Sequence, residues 1–138
     1  MKTESPWHGL MTPHVGALSA RRADPDHPFD FYYAVNAESQ PMVVLQLSSA
    51  VSWDQNFPRL KGLRALWIDK THELHLVLAK AQDVDLFALL CKDLITFTSG
   101  AQSDADCIEL LCTRLLKWQR LLTRGGPRFL DAHEIRGL

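Results

Sequence analysis

The chain has 138 residues, 46% of them hydrophobic, with 15 basic and 16 acidic side chains and a formal net charge of −1. That suffices for one domain with a real core, and the charge balance leaves no overall field to attract nucleic acid or an anionic membrane. No run of about 18 apolar residues offers a membrane span, and residues 1–10 lack the apolar centre of a signal peptide, so a cytoplasmic protein with no membrane contact is expected.

Residues 1–14 are polar, interrupted by Pro6 and Pro13, with Trp7 and Leu10 as their only large anchors; they are expected on the surface. Residues 15–22 read as a first strand, and the run 24–28, Asp-Pro-Asp-His-Pro, as a turn, because proline cannot donate to a sheet ladder. Phe29, Phe31, Tyr33 and Val35 then alternate with Asp30, Tyr32 and Ala34. After a polar turn at 36–40, Val43, Leu45 and Leu47 alternate with Val44, Gln46 and Ser48. This hairpin is expected at the centre of a sheet.

Residues 49–61 show no sustained period and read as a loop pinned by Trp53 and Phe57. Two strands follow at 63–69 and 72–80, with Leu66 and Ile68, then Leu74, Leu76 and Leu78, at alternating positions around a turn at Lys70-Thr71. Their closeness in sequence favours antiparallel pairing. Asp83 offers an N-cap to a helix of about four turns that Gly100 ends, with Leu86, Phe87, Leu90, Leu94 and Phe97 on one side.

The longest periodic stretch, 103–124, predicts one long helix. Ser103 and Asp106 have capping-box spacing, Gly125 is the stop, and Ile108, Leu111, Cys112, Leu115, Trp118 and Leu122 share one face. These elements predict an α+β fold: a mainly antiparallel sheet of about five strands with two long helices packed on one face. Phe31, Tyr33, Val43, Leu45, Leu66, Leu76, Phe87, Leu90, Leu111 and Leu115 should supply much of the core. Residues 1–124 form this domain. Residues 125–138 read as a hinge, Gly125-Gly126-Pro127, and the start of a third helix at Asp131, either a short docked tail or the entrance to a second domain.

Catalytic chemistry has little footing in the residues themselves. His72 and His75, three apart on a strand, face opposite ways and lack the i, i+4 spacing of a helical zinc pair. Cys91, Cys107 and Cys112 show no CxxC and sit in apolar helical patterns, which predicts core thiols in a reducing compartment. Phosphate-cradling glycine motifs and a GxSxG turn are missing, so no catalytic or metal-ligating residue is assigned.

Charge is nonetheless segregated. Residues 83–109 hold six acids against one base, Lys92, whereas residues 114–136 hold six bases against two acids. Lys117, Arg120 and Arg124 fall in a helical sector about 60° wide. They suit either a solvated face or contacts to a polyanion's phosphates. A second basic group, Arg59, Lys61 and Arg64, lies near Trp53 and Phe57, where bases could stack, although such aromatics also pin loops to cores.

Taken in order, Trp7 and Leu10, ARR at 20–22, FYYAVNAESQPMVVLQL at 31–47, PRLKGLRA at 58–65, LFALLCKDL at 86–94, LLKWQRLL at 115–122 and HEIRGL at 133–138 resemble the N-terminal portion of a bacterial family of uncharacterised proteins assigned to the PD-(D/E)XK nucleases. The resemblance implies a Mg²⁺-dependent DNA endonuclease of the restriction or phage-defence type, working with other defence proteins. It also implies that the nuclease acids and lysine lie beyond HEIRGL, so this chain would carry no Mg²⁺ site of its own and would position DNA or a partner. A stand-alone protein-interaction module and a small α+β enzyme are the other readings.

Overall fold

The computed structural model describes residues 5–14, 17–49 and 58–123. Within them the chain runs β1 (Ser19–Arg22), β2 (Asp30–Val35), β3 (Pro41–Gln46), β4 (Leu63–Ile68), β5 (Glu73–Leu78), α1 (Val84–Phe97) and α2 (Asp104–Thr123). The strands lie in the order β1-β2-β3-β5-β4, and each neighbouring pair is antiparallel. The hairpin β2–β3 is therefore central, as the alternation predicts. Its turn is set locally: Asn36 Oδ1 accepts the amides of Glu38 at 3.1 Å and Gln40 at 2.9 Å, which bends the chain without a sheet partner.

Strand parity decides which side chains meet the helices. The register puts Phe31 opposite Leu45, Tyr33 opposite Val43, and Val43 and Leu45 opposite Leu76 and Leu74. All of these join Phe87, Leu90, Cys91, Leu94, Cys107, Leu111 and Leu115 in one apolar cluster, so both helices cover the same face. Burying each large side chain stabilises the fold by about 1.5–3 kcal/mol. The opposite parity gives a smaller cluster of Ala34, Met42, Val44 and Val77, with Tyr32 against it.

The sequence reading needs correction in four places. Leu66 is not core but 39% exposed: Ala65 pairs with Leu76 and Trp67 with Leu74, so these two face the helices and Leu66 turns away. Trp7 is not a surface anchor. It is 6% exposed, stacked on Phe87 with ring centroids 5.2 Å apart, edge-on to Tyr33, and donates Nε1–H to the Met42 carbonyl at 2.8 Å. Asp83 precedes α1 but makes no side-chain cap hydrogen bond; a 3-10 turn, Ala81–Asp83, leads into the helix instead. Finally, α1 ends at Phe97 and continues as a 3-10 turn, Thr98–Gly100.

One residue of the proline-rich turn is also part of the interior. His27 is 5% exposed. Its Nδ1 accepts the Phe29 amide at 2.9 Å, so the ring proton sits on Nε2, which donates to the Ile95 carbonyl at 2.8 Å. The turn before β2 is thereby tied to the end of α1. The expected first strand is shorter than 15–22, residues 15–16 lying outside the described residues. Trp53, Phe57, the hinge and the third helix lie outside them as well.

Candidate functional site

The C-terminal half of α2 carries the sequence-predicted cations, and three sets of contacts fix how that helix sits. At its start, the Asp106 amide donates to Ser103 Oγ at 3.1 Å, and Asp106 Oδ2 accepts the Gln102 amide at 2.8 Å. The reciprocal cap thus exists, with the acid reaching one residue further back than the expected box. Asp104 Oδ2 also takes the Ser48 hydroxyl at 2.9 Å and the Ser49 amide and hydroxyl at 3.1 and 2.8 Å. Burial opposes charge on Asp104, but these serine donors outweigh it and hold the carboxyl below the usual carboxylate range.

Midway along α2, Arg114 grips Asp93 of α1, with Nε at 2.7 Å and Nη2 at 2.9 Å, while Trp118 Nε1–H reaches Asp93 Oδ2 at 2.8 Å. The Arg114 hydrogen bond is the main reason the Asp93 carboxyl is held low. Trp118 and the charge of Lys117 act in the same direction. Arg114 also lies over the Phe97 ring, 4.8 Å from its centre. Arg114 is thus a structural cation that pins α2 to α1.

Near the end of α2, Gln119 Nε2–H donates to the Arg59 carbonyl at 2.6 Å. This contact joins two segments of the chain, 60 residues apart, that each carry basic residues. Arg59 leads directly into the turn 60–63, closed by the Leu63 amide on the Leu60 carbonyl at 3.0 Å. Gly62 takes φ +91°, a conformation in which a side chain would be strained, so Lys61 is carried at the bend. Arg59, Lys61, Lys117 and Arg120 are all exposed.

Arg64 is also exposed but does not join them. It pairs with Val77, on the face of the sheet turned away from the helices. Arg124 lies outside the described residues, as do Trp53 and Phe57, the aromatics expected beside Arg59. The exposed candidate cations among the described residues are therefore Arg59 and Lys61 at the end of the β3–β4 connection and Lys117 and Arg120 on α2.

The reactive side chains have structural surroundings. Burial pushes the Cys91 thiol well up and that of Cys107 to about 12, which keeps both protonated. Burial raises the Tyr33 phenol to about 12. His72 sits in the β4–β5 turn at φ 57°, while His75, on β5, is bonded through Nε2 to Glu73 Oε1 at 2.9 Å. The described residues do not fit a Mg²⁺ site. Among them no three His, Cys, Asp or Glu converge to hold a metal ion, and the Asp93 and Asp104 carboxylates are engaged by the donors named above. Nor is any helix among them long and apolar enough to cross a membrane.

Residues 3–138 match the family model described as "Putative PD-(D/E)XK family member, (DUF4420)". No curated protein and no solved structure matches the chain. The chain belongs to that PD-(D/E)XK family.

Proposed function

We propose that this PD-(D/E)XK family member acts as a non-catalytic N-terminal domain of a bacterial restriction or anti-phage DNA endonuclease, holding DNA by its phosphate backbone. The observation that supports this reading is the Gln119–Arg59 hydrogen bond, which holds the segment carrying Arg59 and Lys61 against the C-terminal half of α2, the helix that carries Lys117 and Arg120. In this reading the four exposed cations of these two segments supply local positive charge on a nearly neutral chain. Such charge suits contact with phosphates, which carry no sequence information, better than reading of base edges. In this reading any Mg²⁺-dependent cleavage belongs to residues other than those described.

The test is the salt dependence of binding to a duplex of arbitrary sequence, followed by fluorescence anisotropy. The parent chain should bind with a dissociation constant on the order of 10⁻⁴–10⁻⁶ M at physiological salt. Replacing Arg59, Lys117 and Arg120 together by Gln should flatten the slope of log K against log salt by about 2.7, at roughly 0.9 per lost phosphate contact. A triple variant that keeps the parent's slope overturns the reading. The alternative, a protein-interaction module, draws support from Leu89 of α1 and Leu121 of α2, which are 61% and 49% exposed. Failure of DNA binding together with association through those leucines would favour it.

A further inference from the structure

We propose that Lys92, the only base of the acidic stretch 83–109, is a further phosphate-contacting residue, so that the contact surface on α2 continues across the helix pair onto α1; the assignment rests on the DNA-binding reading above. Asp93 of α1 meets both Arg114 and Trp118 of α2, and Phe97, one turn further along α1, meets Arg114, so the two helices run antiparallel. Those contacts set residues 89–96 beside residues 113–120. In these two stretches Lys92, Arg114, Lys117 and Arg120 stand against a single acid, Asp93, which Arg114 and Trp118 already engage. The other acids of 83–109 lie toward the two ends of the pair, Asp83 and Asp85 at the start of α1 and Asp104, Asp106 and Glu109 in the first part of α2.

Asp93 turns toward α2, and each helical residue advances the chain by about 100°, so Lys92 comes out on the outer surface of α1, where it is exposed. Lys117 is exposed as well, and it lies close enough to Asp93 for its charge to help hold that carboxyl low. Neither lysine has an acid three or four residues away on its own helix, and among the described residues neither makes an ion pair. Packed helices lie about 8–10 Å apart and each strand of a duplex presents a charge per about 3.4 Å of its axis, so the two ammonium groups can meet different phosphates of one backbone. Arg114 offsets the charge of Asp93 between them, which leaves the middle of the helix pair favourable to a polyanion. Arg64, on the face of the sheet turned away from the helices, lies off this surface.

The experiment is the same anisotropy titration on the full chain with Lys92→Gln, Lys92→Arg and Arg64→Gln, each checked for an unchanged thermal melt. Lys92→Gln should flatten the salt slope by about 0.9, Lys92→Arg should keep it, and Arg64→Gln should leave it at the parent value. If the Arg59, Lys117 and Arg120 triple variant loses slope while Lys92→Gln does not, Lys92 is overturned and the DNA-binding reading stands. A parent chain without salt-dependent binding overturns both. Equal losses from Lys92→Gln and Arg64→Gln would also overturn the assignment, because binding would then follow net charge and not this surface.

Discussion

The carboxylate of Asp93 takes two hydrogen bonds from the guanidinium of Arg114, at 2.7 and 2.9 Å, and a third from Trp118 at 2.8 Å, so one acid on α1 orders the middle of α2. Asp93→Asn should destabilise the protein by about 1–2 kcal/mol, the lower part of the range for charge-assisted bonds because both side chains are over a quarter exposed. The folded carboxyl is held below its unfolded value of about 3.9, so its contribution is present above that pH and is lost as the pH falls through the folded value. Denaturant unfolding should therefore find the gap between parent and Asp93→Asn constant from neutrality to about pH 5 and shrinking below about pH 4. A gap that widens on acidification would show that the pair does not govern this difference.

Two leucines that the sequence treats alike should behave differently. Leu111 lies between helix and sheet at 1% exposure and lines a small apolar void of about 10 Å³ with Phe31, Cys91 and Leu94. Leu111→Ala should lower stability by about 3 kcal/mol, from lost burial plus an enlarged cavity. Leu66→Ala, on the other face of the sheet, should cost less than about 1 kcal/mol. Urea midpoints measured side by side decide this, and comparable losses would mean that Leu66 is packed after all.

His27→Ala should destabilise by about 2–3 kcal/mol, because it leaves the Ile95 carbonyl and the Phe29 amide without their partner in a buried setting. A change under about 0.5 kcal/mol in calorimetry would mean that water or a neighbour replaces the ring at no cost.

Plasmid and linear DNA should remain intact when incubated with the purified chain and Mg²⁺ or Mn²⁺, since metal-assisted phosphodiester cleavage needs a set of converging carboxylates, which the described residues do not supply. Cleavage that co-purifies with the chain and disappears on a point substitution within it would reverse the non-catalytic assignment.

The elements were legible in the sequence because their causes are local. Alternation along residues 29–47 follows from the two-residue period of a strand, and the apolar stripe from Ile108 to Leu122 follows from the helical period. The Ser103–Asp106 cap closes within one turn. The fold class, five strands with two helices, needed no more than those periods and short connections.

What was not legible depended on partners far along the chain. In β4, apolar residues occupy both parities, so only pairing with β5 decides that Ala65 and Trp67 go in and Leu66 goes out. Trp7 reads as an isolated aromatic in a polar segment, and its burial exists because Tyr33, Phe87 and the Met42 carbonyl form a slot for it. His27 reads as part of a turn until Ile95 arrives 68 residues later.

The basic groups repeat the lesson. Sequence alone identified Lys117, Arg120 and Arg124 as one helical sector and Arg59, Lys61 and Arg64 as one run. The sheet then separated Arg64 from the run by strand parity, and the Gln119–Arg59 contact joined what remained to the helix. Periodicity determines which side chains share a face of one element. Which faces meet is decided by the summed packing of all the elements, and no local window of sequence contains that sum.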